Sequence, residues 1–218
     1  MLEVSNYDDD ETLDSLRHWW DDNGRFVIGG VVLGVAGLVG WQQWGAWQTR
    51  TAEEASRLFT AMSASAEARR RNEAGQLAQT LVDEFGRTPY ADQAGLLMAR
   101  LHMDANDPRA AAASLREVIG RTRDQELRAI AALRLARVLH HDGDLDGALA
   151  ALEEARGEAF SARAAEIRGD ILVARGDFAA ARAAYQRALD APDRGLIDRT
   201  LVRIKRDDLP VQAGRGES

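Results

Sequence analysis

"AALRLARVLHHDGDLDGALAALEEA" (131–155) and "AEIRGDILVARGDFAAARAAYQRAL" (165–189) align so that Gly143 falls on Gly176, 33 residues on. The same offset places Asp144 on Asp177, Leu145 on Phe178, Ala148 on Ala181, Leu152 on Tyr185 and Ala155 on Ala188. Earlier in each stretch, Ala136 meets Gly169. Apolar residues recur at helical rather than strand spacing, so each stretch reads as helix, turn, helix. The matched residue types have physical work to do. Small side chains let two helices pack closely, glycine ends the first helix in the left-handed conformation, and aspartate caps the second.

The pattern is similar to the tetratricopeptide repeat: small residues where paired helices cross, a Gly-Asp turn, then Ala-x3-large-x2-Ala. A more degenerate copy precedes it in "AGLLMARLHMDANDPRAAAASLREVI" (94–119), with Ala99, an Asn106-Asp107 turn, Ala111, Leu115 and Val118. Pro108 stands where the start of a helix tolerates it. The expected fold is all-α: an N-terminal transmembrane helix followed by a tetratricopeptide-repeat α-solenoid. Repeats are placed near 92–125, 129–161 and 162–195, inside a domain spanning 50–209. Helices near 52–70 and 73–85 form an incomplete leading pair, and 196–208 is a capping helix that shields the last apolar face. Residues 210–218 read as a disordered tail. Repeat phasing puts Leu96, Arg100, Met103, Ile130, Leu133, Arg137, His140, Arg163, Glu166 and Asp170 near the concave face, where such stacks bind polypeptide segments.

Ahead of the repeats, "RFVIGGVVLGVAGLVGWQQWGAWQTR" (25–50) carries no charge between its two arginines. Residues 26–49 would make a helix roughly 36 Å long, enough to cross a bilayer with some tilt. All five tryptophans flank it, Trp19 and Trp20 before and Trp41, Trp44 and Trp47 after. Trp20 and Trp41 would lie roughly 31 Å apart along a helix, close to the spacing of the two headgroup layers. The preceding residues 1–25 hold eight acidic side chains against Arg17 and Arg25, the reverse of a signal-peptide n-region. The segment therefore reads as an uncleaved anchor. Gly30, Gly34 and Gly37 share one face of it, a surface suited to close packing against another helix. "LDSLRHWW" (13–20) reads as a short amphipathic helix in the acidic tail, ended by Asn23-Gly24. Flanking charge alone leaves the orientation open.

Composition narrows the chemistry. There is no cysteine, which removes disulfides, thiolate metal sites and cysteine catalysis. Residues 51–218 are nearly neutral, and their dispersed arginines lack the basic stripe of a nucleic-acid binder. The only tempting polar cluster is "HHDGD" (140–144), but Gly143 and Asp144 are already explained as turn and cap. "DDDE" (8–11) lacks the spaced ligands of a calcium loop. No Ser/His/Asp or paired-carboxylate arrangement stands out, so no catalytic, cofactor or metal site is expected and the protein reads as a non-enzyme.

The order of features resembles the YfgM-like ancillary subunits of the SecYEG translocon. The likeness is carried by "HWWDDNG" (18–24), "GWQQW" (40–44), "LRLARV" (133–138), "RGD" (168–170), "GDFAAARAAYQRAL" (176–189) and "IKRDDL" (204–209). It implies a single-pass bacterial inner-membrane protein with a cytoplasmic N-terminus and periplasmic repeats. The implied partners are the translocon, a membrane-anchored periplasmic chaperone of the prolyl-isomerase type, and unfolded secretory polypeptides. Two other readings share the architecture. One is an adaptor of another envelope machine, such as cytochrome c maturation or cell-wall synthesis. The other is a regulator whose N-terminal tail sequesters a cytoplasmic partner.

Overall fold

A computed structural model describes the backbone of residues 7–192 and 196–210, and the side chains of 17–192 and 196–210. The tail expected to be disordered lies, beyond Pro210, outside the described residues. Nine helices follow one another among these: α1 (Tyr7–Glu67), α2 (Arg71–Phe85), α3 (Pro89–Asp104), α4 (Pro108–Arg121), α5 (Gln125–Asp142), α6 (Leu145–Leu152), α7 (Glu158–Arg175), α8 (Phe178–Asp190) and α9 (Arg199–Asp207). The chain divides between Glu53 and Glu54 into two units.

In the first unit, α1 runs unbroken through Asn23-Gly24, where the sequence predicts a stop. Both residues are accommodated within the helix. The Asn23 side-chain amide donates to the Trp19 carbonyl at 3.0 Å, and the Trp20 indole covers Gly24, whose added Cβ would stand 3.2 Å from its ring. Leu13 and Leu16, the start of the expected amphipathic segment, fall outside the described side chains. Among the described residues of its unit the apolar stretch has no packing partner: Leu33 is 75% exposed and Leu38 72%. In water so long an apolar surface would be a liability, and in hydrocarbon it is at home. Among the described residues this is the one helix long and apolar enough to cross a membrane.

The second unit is a stack of helix pairs, and its turns repeat the same geometry. Gly143 (φ 86°) and Gly176 (φ 81°) are left-handed, with the next amide reaching back across the turn, Asp144 N to Leu139 O at 2.9 Å and Asp177 N to Leu172 O at 3.0 Å. Asn106 takes the same conformation (φ 58°), and Asp107 N bonds His102 O at 2.9 Å. Asparagine is the residue other than glycine that accepts this geometry most readily. The aspartate after each turn then caps the following helix. Asp107 accepts from Ala110 N, Asp144 from Gly147 N and Asp177 from Ala180 N at 2.9–3.0 Å.

A fourth such turn joins α1 to α2, written in opposite chemistry. Arg69 has φ 59°, and Arg70 N bonds Ser65 O at 2.8 Å. The expected leading pair, 52–70/73–85, thus shares the turn geometry of the repeats, with an arginine in the left-handed position. Arg70 sits in the cap conformation (φ −86°, ψ 70°), close to Asp177 (φ −87°, ψ 74°), but its side chain caps nothing. Restoring the repeat chemistry should stabilise the stack. Arg69→Gly relieves a left-handed penalty of about 1 kcal/mol, and Arg70→Asp adds a cap of about 1 kcal/mol. The exposed Arg70–Glu73 pair that is lost contributes only a few tenths. Thermal unfolding of the double variant is expected to move upward, and a lower midpoint contradicts the assignment.

Apolar faces join the pairs into a continuous interior. Ala55 and Met62 of α1 pack with Leu81 and Phe85 of α2 and Ala94 and Leu101 of α3, and the Phe59 and Tyr90 rings meet at 6.0 Å. The middle core runs from Ala99 and Leu115 through Leu135 and Leu152 to Ile167 and Ile171. Val202 and Leu209 close the last one over Tyr185 and Leu189. Gly169 lies where α7 crosses Tyr185 of α8, and Gly95 where α3 crosses Val118 of α4. A side chain at either would fill space its neighbour already occupies. Within the first pair of the predicted array, Arg121 binds buried Asp92 at 3.1 Å and the Ala91 carbonyl at 2.9 Å, fastening the end of α4 to the start of α3.

Candidate functional site

The first helices of neighbouring pairs, α3 and α5, present matching faces to one another. On α3 these are Leu96, Ala99, Arg100 and Met103; on α5 they are Arg134, Arg137, Val138 and His141, the same i, i+3, i+4, i+7 spacing. Between them opens a groove of about 530 Å³, with Leu115 of α4 contributing to its floor. Leu96, Ala99, Leu115 and Val138 are buried and form an apolar base beside Met103. Arg100, Arg134, Arg137 and His141 are exposed along the rim.

The charge on that rim is poorly compensated. Arg100 has Asp104 at 3.9 Å, with both side chains largely solvated. No carboxylate lies within ion-pair distance of Arg134 or Arg137 among the described residues. Three arginines elsewhere at helix contacts are matched by carboxylates: Arg121 with Asp92, Arg168 with Glu153 at 2.6 Å, Arg175 with Asp146. Guanidinium groups beside apolar surface are well suited to recognise carboxylates in a fork geometry. The groove lining contains no carboxylate, so it has no acid–base pair. Among the described residues no group of three or more His, Asp or Glu side chains is arranged to hold a metal.

Four of the residues assigned by phasing, Leu96, Arg100, Met103 and Arg137, come together here. On α5 the groove-facing residues are Arg134 and His141, one position beyond Leu133 and His140. Leu133 is buried in the core, and Ile130 and His140 are half-buried without lining the groove. The reason is geometric. A repeat offset carries one face onto its parallel copy, whereas a groove between neighbours is walled by the following flank of one helix and the preceding flank of the next. The Arg-x2-Arg-Val-x2-His spacing of α5 was the available signal.

Arg163, Glu166 and Asp170 belong to a different arrangement. Lys205 of α9 reaches Glu166 at 3.1 Å and Asp170 at 2.9 Å, Arg163 holds the other Glu166 oxygen at 2.7 Å, and the Tyr185 hydroxyl donates to Asp170 at 2.8 Å. Glu166 is 4% exposed. Burial alone would lower the Lys205 pKa, but its bonds to Asp170 and Glu166 outweigh that and raise it. Burial, and then the bond to Asp170, push the Tyr185 phenol well above its ordinary value. The cluster locks the capping helix onto the last pair. In the first unit, Gly30, Gly34 and Gly37 meet no side chain within 4 Å and lie open on the apolar helix.

A family model described as a tetratricopeptide repeat-like domain matches residues 17–211. Similar proteins include the "Ancillary SecYEG translocon subunit" of Haemophilus influenzae, 31% identical over 93% of this chain and 98% of that protein. The protein of the same name from Escherichia coli is 32% identical over 85% of this chain and 88% of its own length. That of Neisseria gonorrhoeae is 26% identical over 94% and 99%. Among solved structures, BtubC (BKLC) from P. vanneervenii superposes with a TM-score of 0.52 at 14% identity, covering 75% of this chain and 68% of that one. That likeness concerns the fold.

Proposed function

The chain belongs to the family of ancillary SecYEG translocon subunits, built on a tetratricopeptide repeat-like domain, and on that premise we propose that it is a membrane-anchored, non-catalytic interaction subunit of the Sec translocon. The apolar helix crosses the bacterial inner membrane once, with the acidic N-terminus in the cytoplasm and the repeats in the periplasm. Its glycine face docks against a translocon helix, where small residues permit close approach. The repeats engage a membrane-anchored periplasmic chaperone of the prolyl-isomerase type and assist the handover of unfolded secretory polypeptides.

The observation that carries this reading is the division of labour within one chain. A tryptophan-flanked apolar helix leaves its large apolar side chains exposed within its unit, and a separate repeat stack offers a groove without carboxylates. The first has the physics of an anchor and the second that of a binding module. Orientation rests on the family, since long domains translocate largely regardless of flanking charge. The test is photocrosslinking from Gly34 in intact cells. Capture of a translocon subunit is the expected result; none, beside an efficient crosslinking control, refutes the association.

A further inference from the structure

The groove between α3 and α5 combines three features: a floor of buried aliphatic side chains, arginines along its edge, and no carboxylate in its lining. We propose that its occupant is an acidic amphipathic segment of a partner protein, with a large apolar side chain seated between Leu96 and Val138 and carboxylates paired with Arg134 and Arg137. The inference rests on reading the repeat stack as an interaction module, and is independent of which machine the anchor serves.

Charge complementarity selects this occupant. Arg121, Arg168 and Arg175 have each found a carboxylate of their own chain, whereas Arg134 and Arg137, side by side on the groove, have none among the described residues. These two are three residues apart on α5 and so lie on one side of the helix, one turn apart. Two acidic residues one turn apart on a docked helix would meet them in register. A purely apolar segment would leave the arginines partly desolvated and unpaired, which disfavours it. A basic segment would be repelled outright. The buried floor supplies what charge alone does not, a desolvated seat for an anchor residue surrounded by a polar rim.

The test uses the full-length protein in detergent micelles and three fluorescent helical peptides of one apolar pattern. One carries glutamates at the flanking positions, the second glutamines and the third lysines. Binding is read by fluorescence anisotropy. The glutamate peptide is expected to bind at least about tenfold more tightly than the glutamine peptide, with an advantage that shrinks as salt rises. Arg134→Glu with Arg137→Glu should abolish that advantage and transfer preference to the lysine peptide. Both positions are exposed, and unchanged thermal unfolding of the variant confirms an intact stack. Equal binding of the three peptides, or a variant with unaltered preference, overturns the proposal. So does a variant that loses only self-association, which would make a second copy the occupant. A negative result here with the Gly34 crosslink intact removes the acidic partner and leaves the translocon association standing.

Discussion

Gly169→Ala is expected to lower the unfolding temperature, while Gly120→Ala raises it. Both glycines are helical, so alanine brings the same gain in propensity, about 0.5–1 kcal/mol, at either position. Only the surroundings differ. At Gly120 an added Cβ meets nothing within 4 Å. At Gly169 it would overlap ring carbons Cδ1 and Cε1 of Tyr185 and stand 2.8 Å from Cζ. The ring cannot retreat, because Tyr185 is 2% exposed and its hydroxyl is held by Asp170 at 2.8 Å. Overpacking of this kind costs about 1–3 kcal/mol, or about 2–4 °C per kcal/mol for a stack of this size. Gly169→Leu should prevent the third predicted repeat from closing at all. Equal effects of alanine at the two positions would show that α7 and α8 are not in close contact at Gly169.

The second large effect centres on Lys205, the sole lysine of the chain. Lys205→Met keeps an apolar stem but leaves buried Glu166 with Arg163 alone and takes a cation from Asp170. Breaking a fully buried pair costs about 3–5 kcal/mol. Here Lys205 and Asp170 keep 28% and 30% of their side-chain exposure, so about 2–3 kcal/mol is expected. The loss should be confined to the end of the stack, because each pair contacts only its neighbours. Hydrogen exchange is expected to quicken in α8 and α9 and to stay unchanged in α2 and α3.

The same cluster sets an alkaline limit. The Lys205 pKa is raised on folding, so its stabilisation is complete below its ordinary value of 10.5 and is lost as pH climbs through the folded one. Tyr185 is also raised, from an ordinary value of 10.0, so its neutral phenol favours the folded state until the same alkaline region. The C-terminal pair should therefore melt earlier above about pH 10, with no corresponding effect near neutrality. In Lys205→Met the alkaline slope should be shallower.

The parts of this molecule that were legible in its sequence are those where one residue type suits one geometry. Gly143, Gly176 and Asn106 announce left-handed turns, and the aspartates after them announce caps. The helices of the leading pair were legible, but the repeat-like turn between them was not, because Arg69-Arg70 adopts it with residues that disfavour it. Asn23-Gly24 misled in the other direction, since Trp20 and an Asn23–Trp19 hydrogen bond keep the helix intact there. Phasing named four residues that line the groove, Leu96, Arg100, Met103 and Arg137. Elsewhere on α5 it named Leu133 and His140, one position short of Arg134 and His141, because neighbouring helices meet through opposite flanks. The lock on the capping helix was hidden by distance: Lys205 is 35 residues from Asp170 and 39 from Glu166, and no local pattern joins them.

The proposed arrangement, an anchor carrying periplasmic repeats beside the translocon, meets its sharpest test when the Gly34 crosslinking protein also carries a cysteine in place of Gly214. The chain has no other thiol, so one impermeant maleimide applied to cells with a permeabilised outer membrane reports the side of the tail. Labelling of that cysteine, together with a crosslink from Gly34 to a translocon subunit, is the predicted outcome. A cysteine protected until the inner membrane is broken would place the repeats in the cytoplasm and rule out a periplasmic role.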